Sequence, residues 1–135
     1  MKNKTILENM KAGGMFNTLL NLINIADMKD DLDSKAAITV FAPTDKAFDE
    51  IPKSQLEKLK KNKERLTKIL QYHFSTGKVT ADDIKKMDKI KTLHGRHIDI
   101  KVTDKGVLLN GAKIIKSDIE CLNGIIHIID SVMMP

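Results

Sequence analysis

Cysteine, tryptophan and long apolar runs are scarce or absent in this chain of 135 residues. Cys121 is the only cysteine, so no internal disulfide can form, and the cysteine count does not distinguish an oxidising compartment from a reducing one. The longest apolar run falls far short of the ~20 residues that a membrane-spanning helix needs. Residues 5–11 alternate between apolar and polar types, so we expect no secretory signal within this sequence.

Arginines and aromatic residues are also few, which argues against nucleic-acid binding. The net charge is +5 and the isoelectric point is near 9.3, and a basic patch would attract phosphate backbones. The basic residues, however, are mostly lysines scattered among acidic residues, and Arg65 and Arg96 are the only arginines. One Tyr and no Trp leave almost nothing to stack on bases. The lysine-rich residues 58–68 also contain Glu and are therefore interpreted as a solvated helix face.

Sequence patterns that carry catalysis or bind metals are missing as well. There is no nucleophile elbow, phosphate-binding loop or metalloprotease helix, and nothing places Ser, His and Asp as a triad. His94 and His97 are three residues apart, but no third ligand stands at a useful spacing. His127 lies in an apolar segment and is predicted to be a buried neutral imidazole with a hydrogen-bond partner. We therefore expect no enzymatic activity, no cofactor and no metal site.

Length and composition predict one soluble domain that covers residues 1–135. Hydrophobic residues make up 41% of the chain and charged residues 30%, which is ordinary for a globular protein. A chain of this length buries about two-thirds of its unfolded surface, which is enough for a core without disulfides. No internal repeat or low-complexity tract suggests a second unit.

Residues 38–52 predict a strand, a sharp corner and a short helix. Ile38, Val40 and Phe41 favour a buried strand, and Pro43 ends it because proline has no N–H to donate to the sheet. Thr44 can then accept a hydrogen bond from the free N–H groups that open a helix. The rest of the chain is predicted to build around this corner.

Predicted helices fill the first two-thirds of the chain, and most predicted strands lie in the last third. Apolar residues at helical spacing predict helices over residues 6–10, 15–26, 54–60 and 63–72, and another beginning at Thr80. Alternating or continuous apolar residues predict strands over residues 38–42, 74–79, 90–93, 97–103, 107–109, 112–115 and 125–129. The connections include a charged loop at residues 27–35 and hairpin turns at Asp104-Lys105-Gly106 and Asn110-Gly111. This succession predicts an α+β fold with an antiparallel sheet.

Three motifs in a fixed order point to a known family. Residues 39–48, Tyr72-His73 and residues 123–130, at this spacing, resemble the fasciclin-like domain family over nearly the whole chain. The resemblance implies an antiparallel β-wedge or sandwich of about seven strands with helices packed around it, and strands near Ile38 and Ile125 in its centre. A single domain without disulfides is similar to the microbial members of this family.

The resemblance also implies a function. The family is known for cell-surface or secreted adhesion modules without catalytic activity, so we expect an extracellular or cell-surface module that binds a protein, matrix or glycan partner. Such a module would be a monomer or weakly self-associating, and its export signal would lie outside this sequence. The sequence alone is equally compatible with a cytoplasmic protein. A second hypothesis is a small-molecule domain that holds a lipid or glycan in a cleft lined by the many Ile, Leu and Met side chains.

Two places for partner binding follow from the resemblance. In some animal relatives a tyrosine-histidine motif and an Asp-Ile pair have been implicated in integrin binding, and they match Tyr72-His73 and Asp118-Ile119 here. Tyr72, His73, Asp118 and Ile119 are therefore the predicted partner-binding residues. Tyr72 and His73 at a helix end fit a buried hydrogen-bonded corner better than a contact surface, and Asp118 also fits a local backbone cap.

Overall fold

A seven-stranded sheet forms the centre of the fold, and helices pack around it. The computed structural model describes residues 4–32, 37–104 and 106–133. The helices in these residues are α1 Ile6–Gly13, α2 Asn17–Ile25, α3 Lys29–Leu32, α4 Asp45–Phe48, α5 Lys53–Lys61, α6 Lys63–Gln71 and α7 Ala81–Lys85. The strands are β1 Ile38–Pro43, β2 Phe74–Thr76, β3 Lys89–Lys91, β4 His97–Thr103, β5 Gly106–Leu109, β6 Ala112–Cys121 and β7 Gly124–Ile129. The predicted α+β class is confirmed.

The sheet is mixed, because one pair of neighbouring strands is parallel. Across the sheet the order is β2-β1-β7-β6-β5-β4-β3. Strands β1 and β7 run parallel, with Val40 opposite Ile126, whereas the other pairings among the described residues are antiparallel. The expectation of a wholly antiparallel sheet is corrected in this one pair. Turn residues fix the direction of strands that follow each other along the chain, but β1 and β7 lie far apart in sequence.

Strands β1 and β7 separate two hydrophobic cores. Val40 and Ile126 pack into the first core, which contains the apolar faces of α1, α2 and α6. Phe41 and Ile129 point the other way, into a second core with α7 and the strands β3, β4 and β5. This alternation follows from the two-residue period of a strand. All six residues of each strand are buried, which confirms the prediction that the last strand is apolar on both faces.

Threonine side chains begin three of the helices. Thr5 and Glu8 form a reciprocal capping box at α1, and Thr80 and Asp83 form another at α7. Thr44 accepts a hydrogen bond from the backbone of α4, as its position after Pro43 predicts. The capping box at α7 forms although Asp replaces the more usual Glu or Gln. The backbone N–H of Thr80, with help from its hydroxyl, lowers the pKa of Asp83.

Several segments end elsewhere than predicted. Strand β2 stops before Gly77, whose φ of +81° turns the chain, whereas the prediction extended it to residue 79. Strand β6 runs on to Cys121 instead of ending at residue 115, and this correction brings Asp118 into the sheet. The predicted loop at residues 27–35 contains α3, and residues 33–36 lie outside the described residues.

The two predicted hairpin turns have different outcomes. Asn110 and Gly111 have φ values of +52° and +88° between β5 and β6, which confirms that turn. Lys105, in the predicted turn between β4 and β5, lies outside the described residues. The strands on either side of it pair antiparallel, with Thr103 opposite Gly106.

Asn123 and Gly124 contact α1, α3 and β1 at the start of β7. The Asn123 side chain accepts a hydrogen bond from the N–H of Ile6 at 3.0 Å and donates to the carbonyl of Leu32. A Cβ at Gly124 would lie 1.8 Å from the carbonyl oxygen of Ile38, so only glycine allows β1 and β7 to approach this closely. The Asn-Gly pair therefore joins α1, α3, β1 and β7 at one point.

Candidate functional site

Tyr72 lies inside the fold, at the end of α6. Its hydroxyl donates to the carbonyl of His97 at 2.9 Å and accepts from the Asn110 side chain. The ring of His94 meets the Tyr72 ring edge to face, with 6.0 Å between the ring centres. Tyr72 therefore ties α6 to β4 and to the turn between β5 and β6, with its polar tip satisfied.

His73 is also buried, and it holds the C-terminal segment. Its Nδ1 lies 2.8 Å from the carbonyl of Ile69, and its Nε2 lies 3.0 Å from the N–H of Met133. Since Nε2 must accept from Met133, Nδ1 carries the proton in the neutral ring. Burial lowers the pKa of His73 to about 4, while the hydrogen bond to Ile69 opposes this shift. The interpretation of Tyr72-His73 as a buried, hydrogen-bonded corner is confirmed.

Asp118 is exposed and lies in an irregular part of β6. The register between β6 and β7 shifts on both sides of Lys116, and Asp118 has a φ of +58°. One carboxylate oxygen of Asp118 accepts from the N–H of Ala81 at 2.9 Å, in the first turn of α7. Asp118 therefore caps a backbone group, but one 37 positions away in the chain, so the expectation of a local cap is corrected. Asp and Asn tolerate this left-handed conformation better than most residues.

The buried side chain of His127 forms a hydrogen bond with the backbone of Asp118. It is fully buried in β7, stacks on the ring of Phe41 with 5.7 Å between centres, and accepts from the Asp118 N–H at 3.3 Å through Nδ1. Its Nε2 donates to the carbonyl of Val79 at 2.6 Å. Burial lowers the pKa of His127, against smaller opposing effects from the hydrogen bond to Val79 and from the charge of Asp118. The prediction of a buried histidine with a hydrogen-bond partner is confirmed, and its link to Asp118 was not visible in the sequence.

The four predicted partner-binding residues do not form one surface. Ile119 is buried in the first core, whereas Tyr72 is buried in the second core. His73 is also buried, which leaves Asp118 as the exposed side chain of the four. The role of all four residues in partner binding stays a prediction. Because Tyr72, His73 and Ile119 are buried, they would have to leave the interior to contact a partner directly.

Cys121 is a buried thiol within the first core. The Asn9 side chain donates to its Sγ at 3.1 Å, and burial raises the pKa of the thiol. A buried thiol with a raised pKa is a poor nucleophile, because the thiolate is the reactive form. Cys121 therefore packs as a small core residue.

A groove that the sequence analysis missed lies between α5, α6 and the turn after β3. Its volume is about 670 Å³. Lys58 on α5 and Arg65 and Lys68 on α6 line it, together with His94. The sequence predicts that these lysines lie on a solvated face, because the spacing of charges along two helices does not reveal the space between them.

Neither a cluster of metal ligands nor a membrane-spanning helix occurs in the described residues. Within residues 4–32, 37–104 and 106–133, no three or more His, Cys, Asp or Glu side chains come together as metal ligands would. In the same part of the chain, the structure contains no helix with the length and apolar character needed to span a membrane.

Comparison with known proteins identifies the family. The sequence pattern of the Fasciclin domain matches residues 14–135. Protein sll1483 of Synechocystis sp. is 38% identical over 133 residues, covering 97% of this chain and 73% of that protein. The uncharacterized protein sll1735 of Synechocystis sp. is 39% identical over 119 residues, covering 88% of this chain and 89% of that protein. This chain therefore belongs to the fasciclin domain family.

More distant similarities extend to animal proteins. The transforming growth factor-beta-induced protein ig-h3 of Oryctolagus cuniculus is 30% identical over 131 residues, covering 97% of this chain and 19% of that protein. The solved structure of a FAS1 domain pair from the insect cell adhesion molecule Fasciclin I superposes with a TM-score of 0.79. That match has 20% identity and covers 99% of this chain but 52% of the solved chain. This chain therefore has the fold of one domain of that pair.

Proposed function

We propose that this domain is a non-catalytic adhesion module that acts outside the cell or on its surface. Membership of the fasciclin family supports the proposal, since adhesion without catalysis is what the family is known for. The insect protein with the same fold is named a cell adhesion molecule, which supports a similar role for this chain. The partner in this proposal is a protein or a component of the matrix.

Asp118 is the residue at which we propose contact with the partner, and its exposure is the observation that carries this proposal. Its N–H is held by His127 and its carboxylate by Ala81, so its backbone and side chain are fixed before any partner arrives. A side chain fixed in advance loses little conformational freedom on binding. In the same proposal, Ile119 anchors the strand from the interior.

Tyr72 and His73 have an indirect role in this proposal. Their hydrogen bonds to His97 and Met133 hold α6, β4 and the C-terminal segment together. A partner that contacted their side chains would first have to break these bonds. Variants at Tyr72 or His73 are therefore expected to reduce attachment only to the extent that they unfold the domain.

The test is an attachment assay on the immobilised domain, with cells and with extracellular matrix. The main variant is Asp118→Asn, which removes the charge but keeps an oxygen able to accept from Ala81 and a residue type that tolerates positive φ. The control is Asp99→Asn, which removes the same charge from an exposed position on β4. The parent should support attachment and Asp118→Asn should lose most of it. No attachment to the folded parent domain refutes the proposed function.

The groove between α5 and α6 supports a second candidate function, small-molecule binding. Its volume of about 670 Å³ exceeds the roughly 300 Å³ that a small-molecule site needs. Native mass spectrometry of the purified protein tests this candidate, because a ligand that co-purifies at one equivalent would favour it. A measured mass equal to that of the protein without a ligand, together with no binding of added compounds, would count against this function.

A further inference from the structure

The groove between α5 and α6 has a wall on each helix, and His94 in the turn after β3 also lines it. Leu59 and Lys58 lie near the end of α5, and Arg65 and Ile69 follow on α6 after the corner at Asn62. Residues 65, 68 and 69 share one face of α6, because side chains three and four positions apart are neighbours on a helix. The two helices therefore present these side chains to one shared space.

Among the residues that the structure describes, the polar lining of the groove includes three cations and no acidic residue. Lys58, Arg65 and Lys68 contribute the positive charges, and neither Asp nor Glu is among the lining residues. Glu64 lies 3.7 Å from the Lys68 ammonium, but both side chains are largely exposed, and such surface pairs are weak and easily exchanged. The charge of the groove is thus suited to an anion.

His94 lines the same groove and carries an unsatisfied polar atom. Its Nδ1 is buried and has no hydrogen-bond partner, which sets it apart from the other buried side-chain nitrogen and oxygen atoms of the described residues. The edge-to-face contact with Tyr72 packs one part of the ring against the protein. Buried polar atoms are normally hydrogen-bonded, so a rotation of the His94 ring that brought Nδ1 to the groove would let it pair with a ligand atom.

We propose that this groove binds a small organic oxyanion with two or more negative charges, either a polycarboxylate or a phosphate compound. The guanidinium of Arg65 can bind a carboxylate or phosphate group through two parallel hydrogen bonds, and the two lysines supply further charge. Ile51, Leu59 and Ile69 give the carbon skeleton of the ligand an apolar contact. This inference rests on the small-molecule function and is independent of adhesion through Asp118.

The test is calorimetric titration of the full chain at low ionic strength with citrate and, separately, with fructose 1,6-bisphosphate. We expect at least one of them to bind at one equivalent, while neutral sucrose does not. Binding of citrate alone assigns a polycarboxylate, and binding of fructose 1,6-bisphosphate alone assigns a phosphate compound. If neither binds, the proposal is overturned, whereas the small-molecule function survives if a neutral ligand co-purifies.

Two pairs of variants separate a site from general attraction to a basic protein. Arg65→Gln with Lys68→Gln should weaken binding at least tenfold. Lys53→Gln with Lys85→Gln removes the same charge from exposed positions outside the groove and should change binding less than twofold. Equal weakening in both pairs would contradict a specific site.

A variant of His94 tests the unpaired nitrogen. His94→Phe keeps a ring beside Tyr72 but removes Nδ1, so binding should weaken several-fold while the melting temperature stays at or above that of the parent. Unchanged binding in this variant would overturn the role of His94 in the site. Asp118→Asn should bind both anions like the parent, which keeps a failure of this proposal distinct from a failure of the adhesion proposal.

Discussion

Replacement of His127 by alanine should destabilise the domain by about 3–5 kcal/mol. The imidazole is fully buried, and its loss leaves two backbone groups without their partners, the Val79 carbonyl and the Asp118 N–H. An unpaired group costs about 1–3 kcal/mol when it is buried, and these two groups are partly buried. Truncation of a large buried side chain to alanine costs about 2–5 kcal/mol when it also leaves a cavity, here beside Phe41. These contributions overlap, so the expected total lies near the larger of them.

Two further variants separate the hydrogen bonds from the packing. His127→Phe fills most of the space and can still stack on Phe41, but it removes both hydrogen bonds, so its loss of about 2–4 kcal/mol measures the unpaired groups. His97→Ala, on the exposed face of β4, should change stability by about 0.5 kcal/mol or less. The free energy of unfolding should be measured by urea titration at pH 7. A loss below about 1 kcal/mol for His127→Ala would refute the structural role assigned to this histidine.

Two other predictions concern the buried parts of the family motifs. His73 should stay neutral in the folded protein from pH 7 to pH 5, because its folded pKa is about 4. Its unfolded pKa is near 6.5, so the unfolded chain binds a proton there as the pH falls. The free energy of unfolding should therefore decrease by about 2 kcal/mol when the pH is lowered from 7 to 5. NMR signals of the His73 ring that titrate near pH 6.5 would contradict this. Gly124→Ala should prevent stable folding because its Cβ would collide with the Ile38 carbonyl, whereas Gly77→Ala, with a φ of +81° and open space around it, should lose only about 1–2 kcal/mol. Equal melting temperatures for these two variants would show that the close approach of β1 and β7 is not required.

Local signals in the sequence predicted much of the fold correctly. Thr44 and Thr80 open helices because a side-chain oxygen can accept from the first free N–H groups, and this depends only on nearby residues. Asn110-Gly111 forms a turn for a similarly local reason. The two-sided burial of β7 was also readable, since an apolar strand without alternation must be covered on both faces.

Contacts between residues far apart in the chain could not be predicted from the sequence. The parallel pairing of β1 and β7 depends on how the whole intervening chain returns, which no short pattern encodes. The extension of β6 through Asp118 depends on pairing with β7 and on the hydrogen bond to His127. An aspartate beside a serine, after a predicted strand, is typical of a loop, so only the partner strand and α7 define its actual conformation.

The candidate sites show the same limit. Tyr72 and His73 were identified from a family motif, but the partners that bury them come from distant elements, including the carbonyl of His97 and the N–H of Met133. The basic groove was missed because Arg65 and His94 belong to separate segments that meet only in the folded chain. Charge patterns along one helix indicate solvent exposure, whereas a binding site depends on what faces that helix.

We propose that this domain mediates attachment through Asp118, and a comparison of two coated surfaces tests this role. Cells and matrix should be applied to surfaces coated at equal density with folded Asp118→Asn and folded Asp99→Asn, after both variants are shown to melt within a few degrees of the parent. Attachment should fall at least fivefold on Asp118→Asn and stay at the parent level on Asp99→Asn. Equal attachment on the two surfaces would contradict the proposed role of Asp118.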